Sequence, residues 1–242
     1  MKNLLITIFT FGIFFTTTAQ SGGFGVHAGL IGTGVYNLAD GGNEQFESNS
    51  GIIVGVRYNL KFGPIGFCPE LNYVNKKYDQ IGDYDSNGNV DEWAVPTEYT
   101  MNYLSMPLLA KLYLGPINIH AGVQTSILLS GTIKDDELDI NYDLDDDELQ
   151  IELTNNEEYS LFEDMDVAAV FGIGVDLKIG VYMSARATVS LTPVANMKLI
   201  QDWADEANVS EDEVADFLTG GTDGTNGLNR YITTQFTVGY AF

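Results

Sequence analysis

Between Asp83 and Glu92 the chain reads DYDSNGNVDE, with oxygen-bearing side chains at alternate positions around one glycine. The pattern D-x-[DN]-x-[DN]-G opens an EF-hand loop, in which oxygens at positions one, three and five converge on calcium while glycine makes the sharp turn. Asp83, Asp85, Asn87 and Gly88 satisfy it, and Asp91 falls at position nine. Position twelve, which requires a bidentate Glu, is Ala94, and no amphipathic helix flanks the stretch. With Asp79, Glu92 and Glu98 nearby, these residues predict at most a weak calcium site of the extracellular, millimolar class. The competing reading is a plain Asx- and Gly-rich loop tip. No other cofactor is expected.

Two further sets have reactive side chains. His27, His120 and Ser126 are the residue types of a hydrolase site, which needs an oriented His within hydrogen-bond reach of the nucleophile and an acid behind it. Their spacing does not show such an arrangement, so they read as polar filling and the chain as no enzyme. Cys68 reads as a small interior residue, and as the single cysteine it makes no internal disulfide. Arg57, Glu70, Lys111 and Arg186, with Asp176, have both signs of charge on segments otherwise almost free of charge. They read as a satisfied internal network in preference to an ion path, a choice that depends on the elements holding them.

The first twenty residues, MKNLLITIFTFGIFFTTTAQ, contain one cation, an apolar run from Leu4 to Phe15 and small residues at Thr17 and Ala19. Residues 1–19 therefore read as a secretory signal peptide and 20–242 as the exported domain. Hydrophobic residues make up 45% of the chain, yet the formal net charge is -23, so apolar content and charge must be segregated. Such acidity excludes a nucleic-acid partner, whose phosphates need Lys and Arg.

Eight segments alternate polar and apolar residues with the period of a strand: 22–36, 51–60, 65–75, 99–114, 117–130, 167–177, 181–192 and 231–242. The connections after the second, fourth and sixth are tight and rich in Gly or Pro; the others are long and polar. Antiparallel succession puts all tight turns at one pole and all long loops at the other. Of 34 acidic residues, only Glu70 and Asp176 fall inside the predicted strands. In the fifth segment Ile117, Ile119, Ala121, Val123, Thr125 and Ile127 oppose Asn118, His120, Gly122, Gln124 and Ser126, and the others repeat the division. The polar face is small and nearly uncharged, which suits the filled interior of a narrow barrel, while the aliphatic face suits lipid. The expected fold is all-β: an eight-stranded antiparallel up-and-down transmembrane β-barrel with long extracellular loops and short periplasmic turns. A soluble sandwich or a lipocalin-like barrel is the rival. Within the fourth long loop, Ile200, Trp203, Ala204 and Ala207 fit one helical face, and Ser210 with Glu213 forms a capping box ahead of Val214 and Phe217.

The start GGFGVHAGLIGTGVY, the segments GFCPELNYVNKK, YLSMPLLAKLYLGP and VFGIGVDLKIG, and the closing QFTVGYAF resemble the PorT-like outer-membrane barrels of the Bacteroidetes group. The resemblance runs over nearly the whole exported chain. It implies a barrel ending in an aromatic residue, here Phe242, read by the barrel-assembly machinery. The family's namesake is linked to protein secretion, but this chain departs from it in its long acidic third loop and its helical fourth loop. The expected role is a non-enzymatic outer-membrane barrel whose acidic loops serve an interaction or envelope-structural function. Its partners would be outer-membrane lipid, the assembly machinery and an unknown surface or envelope protein. A lipid-modifying enzyme on the same barrel and a soluble barrel for an apolar ligand are the alternatives.

Overall fold

The computed structural model describes residues 23–36, 46–80, 97–135, 140–143, 150–152, 158–160, 163–207, 209–210 and 230–242. Its elements are β1 (Gly23–Tyr36), β2 (Phe46–Phe62), β3 (Ile65–Gln80), β4 (Thr97–Leu114), β5 (Ile117–Asp135), β6 (Ile140–Asp143), β7 (Gln150–Glu152), β8 (Glu158–Ser160), β9 (Met165–Asp176), β10 (Val181–Ser190), α1 (Met197–Ala207) and β11 (Arg230–Ala241). Antiparallel pairing runs β1–β2–β3–β4–β5–β9–β10–β11, and β11 returns to β1, so eight strands close on themselves. Closure leaves no open edge in this ring, the condition a sheet must meet where no water can pair its backbone. Gly63, Gly115 and Gly180 mark the three tight turns with φ of 62°, 70° and 89°, where any other residue would be strained.

The distribution of side chains inverts that of a soluble protein. Leu30, Phe171 and Ile173 are 63%, 58% and 60% exposed on the outer wall, whereas Arg57, Glu70, Lys111 and Arg186 are 3–5% exposed within it. A band of this apolar area cannot stand in water without associating. It matches the lipid-facing belt of a membrane barrel whose interior is polar. Among the described residues no helix is long and apolar enough to cross a membrane.

Strand lengths correct the sequence reading at one pole. β2 to β5 run 17, 16, 18 and 19 residues, against 12, 10 and 12 for β9, β10 and β11. About 9–11 residues of tilted strand cross the hydrocarbon, so β2 to β5 overshoot it at the pole of the long connections. The overshoot was invisible because lipid-against-lumen alternation ends where the outer face meets water, while the hydrogen-bond ladder continues. Glu47, Asp79, Glu98 and Asp135 consequently belong to strands, not to loops, and so does Asp166 in β9. The raised wall holds its charge in register: Asp79 opposes both Glu47 and Glu98, the Lys77 ammonium donates to Glu98 at 2.9 Å, and the Asn49 amide donates to Asp79. Bulges in the β2–β3 and β4–β5 ladders, at Ser48/Ile53 and Asn102/Tyr103, fall where the wall leaves the closed ring.

The acidic third connection is partly β-structured. β6 pairs with the end of β5 from Asp135↔Ile140 to Thr132↔Asp143, and β7 and β8 form a hairpin. In the fourth connection the predicted helical face appears as α1, with Ile200 and Ala204 buried and Trp203 packed on them. The Asn196 side-chain oxygen caps it, accepting from the amides of Lys198 and Leu199. Ser210 ends the described part of this connection, and Glu213, Val214 and Phe217 lie outside the described residues.

Candidate functional site: the filled lumen and its two ends

Strand parity aims alternate side chains inward, and these fill the barrel in three levels. At the tight-turn mouth, the Arg57 guanidinium lies 3.1 Å from the Tyr182 ring centroid and donates to Asp176 at 2.6 Å. Asp176 also accepts from the Asn118 amide at 2.9 Å. Lys61 sits 4.0 Å above the ring of Tyr113, whose hydroxyl donates to the side-chain oxygen of Asn59.

The middle level is a charged belt. Arg186 on β10 donates a two-pronged fork to Glu70 on β3 across the lumen, at 2.6 and 2.7 Å. Such a bidentate pair is the geometry in which a buried charge is most completely compensated. Asn72 donates to Glu70, and Arg186 Nε reaches both Ser184 and His120. His120 meets the side-chain oxygen of Asn118 through its other ring nitrogen. The set Arg57, Glu70, Lys111 and Arg186, predicted as one network, is therefore divided. Arg57 pairs with Asp176, Arg186 with Glu70, and Lys111, only 3% exposed, has no ion-pair partner among the described residues.

Gly172 leaves room for this belt, because it lies opposite His120 on one side and Arg186 on the other. A β-carbon there would meet His120 Nε2, the Ala185 carbonyl and Arg186 Cγ, all within 3 Å. Gly172→Val should therefore destabilise the barrel by about 1–3 kcal/mol, read as a lower urea midpoint in detergent micelles. An unchanged midpoint would mean the belt has slack that the geometry does not show.

The third level closes the lumen towards the raised wall. Ile31, Val35, Ile53, Val74, Met101, Tyr78, Tyr103 and Tyr231 form one buried cluster, against which Tyr99 and Val194 pack. Lys76 is clasped inside it: its ammonium donates to Asp166 at 2.8 Å and stands 4.3 and 4.2 Å from the rings of Tyr103 and Tyr231. Thr192 donates to the other oxygen of Asp166. Sequence reasoning missed this ion pair, since Lys76 lies one residue beyond the predicted end of its strand and Asp166 one residue before another. Parity was the available signal, because Lys76 continues the inward series Cys68, Glu70, Asn72, Val74 and Asp166 begins the series Ala168, Val170.

The hydrolase set is dispersed. His27 meets the Tyr182 hydroxyl at 3.2 Å, and Ser126 bonds with Ser105 and Gln124. The serine beside His120 is Ser184, and an amide, not a carboxylate, orients that ring. Cys68 is fully buried in the lumen with its thiol directed at Glu70. Asp83, Asp85, Asn87 and Asp91 lie outside the described residues, in the connection whose ends pair at Gln80↔Thr97. Phe242 is 77% exposed at the seam of β1 and β11, against the rings of Phe24 and Tyr240, and its amide donates to the Phe24 carbonyl.

A closed antiparallel ring with an aliphatic outer face and a filled interior, polar over two of its three levels, defines a small transmembrane β-barrel. The chain belongs to the outer membrane protein beta-barrel domain family, whose model matches residues 18–196, and it is a Gram-negative outer-membrane protein. Among solved structures it is similar to Ail, the attachment invasion locus protein of Yersinia pestis, crystallised with the heparin analogue sucrose octasulfate. Identity is 9%, over 91% of this chain and 99% of that one, with a TM-score of 0.44. Neisserial surface protein A is 10% identical over 92% and 100% of the two chains, with a TM-score of 0.46. No curated protein sequence matches the chain.

Proposed function

We propose that the protein is a non-enzymatic member of the PorT-like branch of these barrels. Its acidic crown stands outside the cell and engages a surface or envelope partner, with cations held between its carboxylates. The observation that carries this reading is the contrast between a lumen filled at all three levels and a wall that rises on one side, on β2 to β5 and β6, beyond the length needed to cross lipid. A barrel filled in this way has no path for solute, and its surplus structure is invested in a surface. Asp83, Asp85, Asn87 and Asp91, in the connection between β3 and β4, would hold one such cation as a weak calcium site.

Orientation is tested with single cysteines, since Cys68 is buried and silent. Lys134→Cys should react with a membrane-impermeant maleimide on intact cells, and Lys178→Cys only after the outer membrane is opened. The reverse pattern inverts the barrel and removes the proposal. In planar bilayers the purified protein should give no stepwise conductance. A photo-crosslinker at Lys134 should capture a defined partner, and replacing the acids of 135–147 with Ser and Asn should abolish the product. A product set that ignores that replacement counts against a crown-mediated role.

A further inference from the structure

The chain has 11 Lys and Arg against 34 Asp and Glu, so a place where cations outnumber carboxylates runs against its composition. The tight-turn mouth is such a place. A cavity of about 770 Å³ is lined there by Arg57, Lys61 and Lys178, with Asn59 and Tyr113 on its wall. The acidic side chain that lines it is Asp176. Lys111 stands behind, two residues deeper than Tyr113 on the same face of β4.

Asp176 is already engaged, by Arg57 on one oxygen and Asn118 on the other. Arg57 nonetheless keeps a donor without a partner: it is 4% exposed, and its Nε is buried and unbonded. Neither Lys61 nor Lys178 is in an ion pair with a described residue. Lys61 has the inward parity of Arg57 and Asn59 and is held over the mouth by the Tyr113 ring, which a rim lysine reaching out to lipid head groups would not be. An unbonded buried N–H and an uncompensated positive charge share one remedy, a ligand bearing anionic oxygens. The cavity lies within the range of small-ligand sites, about 300–1,000 Å³, and Pro116, Leu177 and Val181 give it an apolar lip.

We propose that this mouth is a binding cup for a phosphate-type oxyanion, supplied either as a soluble phosphate ester or as the head group of an anionic phospholipid in the adjacent leaflet. Only the compartment of the ligand depends on the orientation given above; the cup itself does not. The test uses the barrel refolded in zwitterionic detergent micelles, with inorganic phosphate and glycerol phosphate titrated at constant ionic strength. Solution NMR follows the resonances of Lys61, Asn59 and Tyr113. Saturable shifts at these residues are expected, weakened at least tenfold in Lys61→Gln with Lys178→Gln. Both substitutions are at the rim, and heat-modifiable gel migration verifies that the double variant is folded. Nanodiscs of phosphatidylcholine with and without phosphatidylglycerol form the second arm. Shifts that require phosphatidylglycerol while free phosphate is silent assign the lipid source, and shifts with free phosphate assign the soluble one. The proposal is overturned if neither arm gives saturable shifts, if chloride reproduces them, or if the double variant responds as the wild type does. None of these outcomes depends on which pole faces the cell exterior.

Discussion

Arg186→Met is expected to lower the unfolding free energy of the barrel by about 3–5 kcal/mol. The substitution keeps most of the side-chain volume but leaves Glu70 in the middle of the lumen without its fork. The groups that remain on that carboxylate are the Asn72 amide and the Cys68 thiol, neither of which has a full charge. The pair links β3 to β10, strands on opposite walls, so its loss removes a strut and also creates an uncompensated charge. The double variant Glu70→Leu with Arg186→Met should recover most of the loss, because an apolar pair of similar volume avoids the desolvation of both ions. Urea titration in micelles, followed by gel mobility without boiling, measures all three proteins. A single variant that loses less than about 1 kcal/mol, the value of a solvated pair, would show that water reaches the belt.

Phe171→Arg tests the outer face. Phe171 lies near the middle of β9 on the lipid-facing row, and an arginine at that depth should cost about 2–4 kcal/mol in a bilayer. Met165→Arg, on the same row at the strand's far end, should cost about 0–1 kcal/mol, because the charge there reaches head groups and water. Unfolding in lipid vesicles reads the difference. Equal costs at the two positions, or improved solubility of Phe171→Arg without lipid, would return the chain to the lipocalin-like alternative.

The fold was legible to an unusual degree because two environments impose two compositions. Each wall position faces either hydrocarbon or a crowded lumen, so the alternation Ile117, Ile119, Ala121 against Asn118, His120, Gly122 is unambiguous over its whole length. Gly and Pro at the tight turns then fixed the number of strands. The pairing inside the lumen was less legible. Parity says which face a side chain takes but not its height, and the height of Arg186 relative to Glu70 depends on the stagger summed around the strands between them. For that reason Arg57, Glu70, Lys111 and Arg186 could be recognised as interior without being sorted into pairs. Lys76 and Asp166 were lost for a different cause: they sit where the outer face has become polar, and a strand boundary drawn from that face stops short of them.

The seam between β1 and β11 joins the two ends of the chain, from Gly25↔Ala241 to Tyr36↔Arg230. Without β11, β1 and β10 would each have no partner on one side, and the other seven strands cannot complete the ring. Contacts of this sequence separation carry the largest loop-closure cost and form late. The wall is thus all or none: seven strands make an open sheet, and the eighth turns it into a closed one. Losing the final strand would leave two bare edges inside hydrocarbon, where no water could pair them.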